Sequence, residues 1–186
     1  MTLPNNNDII GVEFKLLKSF PDGRGFFREI IRHTDPFFNN RDSFGQWSHS
    51  KMQKDVVKAW HFHHIQTDWW YIPMGQAEVI LYDNREESPT YQKKLVFKLG
   101  ETDVYGSDTY EACVKIPTGV LHACQVLSET AHLFYITSEI YNPQDEGRIA
   151  YNSPQIPHKW TCENPITSEK DRVDFIPPHP RKSLVC

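Results

Sequence analysis

Lys58-Ala59-Trp60-His61-Phe62-His63-His64-Ile65-Gln66-Thr67-Asp68-Trp69-Trp70-Tyr71-Ile72-Pro73-Met74-Gly75 is the stretch whose reading decides the fold. It gathers three histidines, a carboxylate and a run of aromatic rings, and it closes on a Pro-Met-Gly turn signal. Successive side chains of a β-strand point to opposite faces, so His61 and His63 share one face while Trp60, Phe62 and His64 share the other. One strand histidine is ordinarily a half-buried, satisfied residue, whereas two looking into the same space mark a site. By the same alternation Lys58 falls on the face opposite His61. Only a bulge or the twist of the sheet brings both to one ligand.

Outward from this stretch, short extended runs repeat between turn signals: Gly45 to Met52, Val56 to His64, Trp69 to Ile72, Gln76 to Asp83, Tyr91 to Leu99, Ala112 to Ile116, Leu121 to Leu127 and Ala131 to Glu139. No helix of ten or more residues is expected between them, which points to an all-β sandwich or barrel, best a jelly roll of two antiparallel sheets. Before them, Ile9 to Leu17 and Phe26 to Arg32 read as strands flanking the turn Pro21-Asp22-Gly23-Arg24-Gly25, and His33 to Ser43 as a loop or one short helix. After them, Pro154, Pro157, Pro165, Pro177, Pro178 and Pro180 argue against a central strand, since proline cannot donate to a ladder. An irregular, Pro-rich C-terminal segment is therefore expected to wrap the surface, with at most a short helix near Thr167 to Arg172. The 186 residues fit one domain, 1–186, with a core at about 9–140 and the wrapping segment at 141–186.

Composition narrows the partners. Hydrophobic residues at 39% and aromatics at 13% belong to a globular chain with ring-filled cores. A net charge of −4 and no Lys/Arg cluster exclude nucleic acid as the expected partner, while one or two local cations suffice for a small anion. No apolar run has the length to cross a bilayer, and the first residues show no secretory signal. Cys113, Cys124, Cys162 and Cys186 form no Cys-x-x-Cys pair and read as reduced thiols of a cytoplasmic protein.

Two resemblances add to this. The spacing of His61, His63, Asp68 and Gly75 resembles the first metal-binding motif of the cupin superfamily, with Asp68 where that motif usually has Glu, and Pro117-Thr118-Gly119-Val120-Leu121-His122 resembles the second. More specifically, Phe20-x-Asp22-x-Arg24-Gly25-x-Phe27-x-Glu29, Ser48-x-Ser50, His61-Phe62, Arg85-x-x-Ser88-Pro89-Thr90, Ile116-Pro117-x-Gly119-x-x-His122, Tyr135 with Tyr141-Asn142-Pro143, and Ser168-x-Lys170-Asp171 occur in the order found in dTDP-4-dehydrorhamnose 3,5-epimerases. The chain resembles that family over roughly residues 9 to 172. The resemblance implies a cupin-type jelly roll acting on a nucleotide-linked 4-keto-6-deoxy sugar, most simply a dTDP sugar. No cofactor is implied. A homodimer is, with strand Ile9 to Leu17 pairing with a second subunit.

The chemistry suits those residue types. A 4-keto group acidifies the C3 and C5 hydrogens, so inversion needs a base on one face and an acid on the other. By resemblance His61 is the base, Asp171 its partner and Tyr135 the acid, while Arg24, Glu29, Gln46, Lys58, His122 and Tyr141 contact the substrate. Departures from the family open other readings. Lys58 stands where relatives carry an arginine that grips phosphate, Ser48 where asparagine is common, and Asp68 where relatives carry a lysine placed beside the enolate oxygen. A carboxylate there repels a developing oxyanion. His61, His63, Asp68 and His122 instead suit one divalent transition metal, which makes a metal-dependent cupin the alternative. A non-catalytic sugar-nucleotide binder is the third, with Trp47, Trp60, Trp69, Trp70 and Tyr71 as stacking rings.

Overall fold

Gly75 marks the corner at which the chain passes from one sheet of the sandwich to the other. Its φ of +80° suits only glycine, and a Cβ there would lie 2.0 Å from the Thr130 carbonyl oxygen. The computed structural model describes residues 8–38 and 44–178. In chain order the strands are β1 (Glu13–Leu16), β2 (Ser19–Asp22), β3 (Gly25–Arg28), β4 (Gln46–Gln53), β5 (Val57–His63), β6 (Asp68–Met74), β7 (Gln76–Asp83), β8 (Lys94–Gly100), β9 (Thr109–Tyr110), β10 (Ala112–Ile116), β11 (Val120–Val126), β12 (Thr130–Thr137) and β13 (Glu146–Arg148). One short helix, α1 (Thr102–Tyr105), and 3₁₀ turns at Pro36–Phe38 and Lys170–Arg172 complete the described elements.

A five-stranded sheet in the order β1-β10-β6-β12-β4 faces a six-stranded sheet in the order β13-β5-β11-β7-β8-β9, and β2 with β3 forms a separate hairpin. This is the expected cupin jelly roll. Period-two alternation places Trp70, Ile72, Val79, Leu81, Val114, Val120, Cys124 and Leu133 in the core between the sheets. The outer faces are covered as well. Trp60, Phe62, Ile80, Tyr82, Leu121 and Ala123 on the back of the six-stranded sheet pack beneath Ile149, Ile156 and Trp160. Trp69, Cys113 and Tyr71 on the back of the other sheet lie under Phe37, Phe38, Ile30 and Ile31. Covering both faces is why β11 is buried at every position.

Some expectations shift. The first strand starts at Glu13 instead of Ile9, because residues 8–11 turn at Gly11 (φ +87°) and send Ile9 and Val12 into the core. The strand that follows, β1, pairs with β10 of the same chain. The strand expected from Tyr91 begins at Lys94, since residues 85–92 are folded around Asp83. This buried carboxylate accepts Nε and Nη2 of Arg85 at 2.7 and 2.8 Å and the hydroxyls of Ser88 and Thr90 at 2.6 Å each. Arg85 Nη2 also reaches the Ile10 carbonyl at 2.7 Å, tying the N-terminal turn to the sandwich. Burial pushes the Asp83 carboxyl up, but these hydrogen bonds prevail and hold it at about 2. The segment after residue 140 contributes a strand that was not expected, β13, paired with β5 from Glu146↔His63 to Arg148↔His61. Of the expected tail, Pro180 and Cys186 lie outside the described residues, as do residues 39–43 of the loop expected at 33–43.

Candidate active site

Between the two sheets lies a cavity of about 230 Å³, lined by Gln46, Lys58, His61, His63, Gln66, Asp68, Trp70, His122, Leu133, Tyr135, Thr137, Tyr141 and Glu146. The opening stretch supplies six of these residues, from Lys58 to Trp70. As alternation requires, His61 and His63 face the cavity while Trp60 and Phe62 are buried behind it. Lys58 joins His61 through a bulge. On β11 the partners His122 and Cys124 are two residues apart, but on β5 they face His61 and Lys58, three apart. The extra β5 residue turns Lys58 inward, where Nζ donates to Ser50 Oγ at 2.7 Å.

His61 is braced from behind. Its Nε2 lies 2.8 Å from Asp171 Oδ1, a contact across 110 residues of sequence that the 3₁₀ turn at Lys170–Arg172 makes by carrying Asp171 under β5. Asp171 is 3% exposed, and its Oδ2 accepts the Ser168 amide at 3.1 Å and the Ser168 hydroxyl at 2.7 Å. Burial pushes this carboxyl up, yet the bonds from His61 and Ser168 outweigh it and hold it below the usual carboxylate range. An ionised Asp171 only accepts, so the His61 Nε2 carries the hydrogen and Nδ1 is left as the basic atom of the ring.

Tyr135 enters from the opposite sheet, between Ser48 of β4 and Trp70 of β6. Burial first, then the nearby Asp68 and Glu146, push its phenol up against a hydrogen bond with Ser48, so the hydroxyl is held as a proton donor at neutral pH. Gln46 donates to Ser48 Oγ at 2.7 Å and accepts the Tyr141 amide at 3.1 Å, fixing the rim where Tyr141 stands half-exposed. Deeper in, Asp68 receives the Gln66 amide at 2.7 Å and the Trp70 indole N–H at 3.1 Å. Burial pushes Asp68 up and drives His122 well below the ordinary histidine range, so His122 is neutral.

Of the expected residues, His61, Tyr135, Gln46, Lys58, His122 and Tyr141 line one cavity, and Asp171 backs it. Arg24 and Glu29 do not reach it within the chain. They sit on and just after the hairpin of β2 and β3, which stands apart as its own sheet, with Arg24 paired to Asp22 at 2.6 Å and Glu29 to Arg32. The four-residue metal set also divides: His63, Asp68 and His122 converge, whereas His61 turns to Asp171. Of the five rings considered for stacking, Trp70 lines the cavity, Trp60 and Trp69 are core at 1% exposure, Tyr71 is half-buried on the outer face beside Trp69, and Trp47 is exposed on that face at 66%. Gln66, Leu133, Thr137 and Glu146 were not anticipated. Their signals were weak: Gln66 lies in a loop whose backbone amides, His64 to Gln66, are gathered by Asp145 at 3.0 to 3.2 Å.

A cavity between antiparallel sheets, with a histidine steadied by a buried acid and a phenol on the facing wall, belongs to the jelly-roll class of sugar-nucleotide epimerases. Comparison with known proteins leads to the same class. The family description dTDP-4-dehydrorhamnose 3,5-epimerase matches residues 6–175. The chain belongs to that family. It is 42% identical over 160 residues to the spore coat polysaccharide biosynthesis protein SpsL of Bacillus subtilis, covering 83% of this chain and 98% of that one. It is 32% identical to a dTDP-4-dehydrorhamnose 3,5-epimerase of Neisseria gonorrhoeae, covering 86% of this chain and 48% of that protein. Among solved structures, the dTDP-6-deoxy-D-glucose-3,5-epimerase of Legionella pneumophila, crystallised with dTDP-4-keto-L-rhamnose, superposes with a TM-score of 0.74 at 27% identity, covering 86% of this chain and 84% of that one. No helix among the described residues is long and apolar enough to cross a membrane.

Proposed function

We propose that this epimerase inverts C3, C5 or both in a dTDP-linked 4-keto-6-deoxy sugar. The observation that carries the reading is the 2.8 Å contact between His61 Nε2 and the buried Asp171, on a ring that shares its cavity with Tyr135. In the first half-reaction His61 Nδ1 takes the proton from C3 or C5, and the electron pair of that C–H bond moves into the ring to leave an enolate at O4. In the second, the Tyr135 hydroxyl returns a proton to the opposite face of the same carbon, and both side chains then re-equilibrate with solvent. Asp171 acts through His61 as a positioning residue. Lys58 offers the cavity's ammonium to the diphosphate, as a point charge without the fork of a guanidinium.

A homodimer and a cytoplasmic location belong to the same proposal. The hairpin that carries Arg24 leaves Phe20, Phe26 and Phe27 48% to 63% exposed, which suits a surface that meets a second copy and adds Arg24 and Glu29 to its cavity. Cys113, Cys124 and Cys162 are free thiols, in keeping with a reducing compartment.

The test is to incubate the protein with a dTDP-4-keto-6-deoxy sugar in deuterated buffer. Deuterium should enter at C3, C5 or both, His61→Ala should abolish the labelling, and Tyr135→Phe should exchange label without completing inversion. Binding of the sugar nucleotide without any labelling would make the chain a binder in place of an enzyme.

A further inference from the structure

We propose that Ser48 is a positioning residue for Tyr135: it donates its hydroxyl hydrogen to the phenol oxygen and leaves the phenol's own hydrogen to point at the sugar. The inference rests on the epimerase reading above. Its ground is a row of polar side chains on the inward face of β4. Gln46, Ser48 and Ser50 alternate there with Trp47 and His49, which are exposed on the outer face. The row lies across from β12 in the register Thr137↔Gln46, Tyr135↔Ser48 and Leu133↔Ser50. Directly paired residues of neighbouring strands hold their Cβ atoms about 5 Å apart on one face, so the Ser48 hydroxyl and the Tyr135 ring are neighbours.

Hydrogen-bond direction along this row is fixed at one end by the backbone. The Tyr141 amide can only donate, and it reaches Gln46 Oε1 at 3.1 Å, so the other arm of that side chain is its NH₂ group. Gln46 Nε2 therefore donates to Ser48 Oγ at 2.7 Å. With one lone pair of its oxygen taken, the Ser48 hydroxyl still has a hydrogen to give. Among the described residues the acceptor it meets is the phenol of its register partner, on which it acts as a side-chain hydrogen bond. Tyr141 N–H, Gln46, Ser48 and Tyr135 thus form a relay in which each donor points toward the phenol. At the far end of the row Ser50 serves Lys58 in the same way, accepting Nζ at 2.7 Å.

Burial, Asp68 and Glu146 all make the phenol a weaker acid, and the Ser48 hydroxyl is the group that works against them. When the phenol O–H bond breaks and its proton joins the enolate carbon, the electron pair stays on Oη as a phenolate. A hydroxyl already aimed at Oη stabilises that charge without reorganising, which is what the acid on the reprotonating face needs. Ser48 is not among the residues that line the cavity. It acts through Tyr135 as Asp171 acts through His61, so the acid and the base each have one outer partner.

The probe is 3-fluorotyrosine built into the whole chain, whose phenol ionises at lower pH than that of tyrosine, followed by ¹⁹F NMR with Tyr135→Phe to assign the resonance. Ser48→Ala should move the ionisation at position 135 up by about one to two pH units, the size of a lost hydrogen bond to a charged group. Ser48→Thr, which keeps the hydroxyl, should restore it. With a dTDP-4-keto-6-deoxy sugar in deuterated buffer, Ser48→Ala should slow inversion about tenfold or more, while His61-dependent exchange at the same carbon stays within about twofold. His49→Ala, one residue along on the outward face, should leave the ratio of inversion to exchange unchanged. A resonance that titrates alike in the parent and Ser48→Ala overturns the proposal, as does a fall of inversion and exchange in step, or a ratio that moves as far with His49→Ala. The titration needs no substrate. A shifted resonance with no labelling in the parent therefore refutes the epimerase and leaves the Ser48 contact, whereas labelling with an unmoved resonance refutes Ser48 alone.

Discussion

Replacing Asp171 by asparagine keeps the shape of the site and removes one charge from behind His61. In the proposed reaction the ring takes the substrate proton and becomes an imidazolium whose Nε2–H points at Asp171 Oδ1, 2.8 Å away. Charge centres about 4 Å apart, at the effective dielectric near 20 that suits a partly exposed pair, attract by about 4 kcal/mol. Side-chain exposures of 25% for His61 and 5% for Asp171 fit that choice. At 1.36 kcal/mol per factor of ten, the variant should lose about three decades in rate, within the range expected of a positioned base. The loss should fall on kcat more than on KM, because the acid touches the ring and not the sugar. Deuterium incorporation at C3 and C5 measures it directly, with far-UV circular dichroism and thermal unfolding run beside it to show that the Ser168 bonds still hold the turn. A variant within tenfold of the parent, correctly folded, refutes the assignment of His61 and Asp171 as a working pair.

Three further outcomes concern the scaffold. Asp83, held at about 2 against a usual 3.8 and fully buried, binds fewer protons folded than unfolded; it contributes about 2.5 kcal/mol above pH 4 that is lost as pH falls through 2. Asp83→Asn should therefore cost about that much in urea unfolding at pH 7 and flatten the acid limb below pH 4. His158, whose Nε2 is without a hydrogen bond and 3.8 Å from Glu78, is pushed down to about 4 by burial and then by Lys94. A histidine depressed on folding loses stability as pH drops from 6.5 to 4, here by about 1–2 kcal/mol after discounting for residual solvent; burial pushes Glu78 up, which opposes the trend. Subtracting the pH–stability curve of His158→Gln isolates the histidine, and identical curves would show that it does not titrate on unfolding. Gly75→Ala should cost well over 2 kcal/mol, since its Cβ meets the Thr130 carbonyl at 2.0 Å in a left-handed backbone; an unchanged thermal midpoint would contradict that packing.

Period-two patterning made the central strands legible because it is a local property. The run Gln76 to Asp83 coincides with β7 and Ala112 to Ile116 with β10. The same patterning placed His61 and His63 on one face. It failed at Lys58, where one additional residue in β5 reverses the parity. It also missed β13, a three-residue edge strand of Glu-Gly-Arg with no alternation to read. Arg85, Ser88 and Thr90 were visible as a matched fragment but not as ligands of Asp83, since hydrogen-bond direction is not written in residue order. Arg24 and Glu29 matched a substrate-contact motif, yet their hairpin lies off the sandwich, so one chain does not carry them to its own cavity.

What the residues by themselves determined was the all-β class, the family and the side chains offered for the candidate site, because turn chemistry, alternation and ordered motifs act over a few residues at a time. Only the tertiary structure decided which of those groups meet. It drew His61 to an acid 110 positions away and left His63, Asp68 and His122 to face one another. The physical reason is that such contacts depend on how two sheets stack and where a 3₁₀ turn docks, and these are properties of the whole packed core.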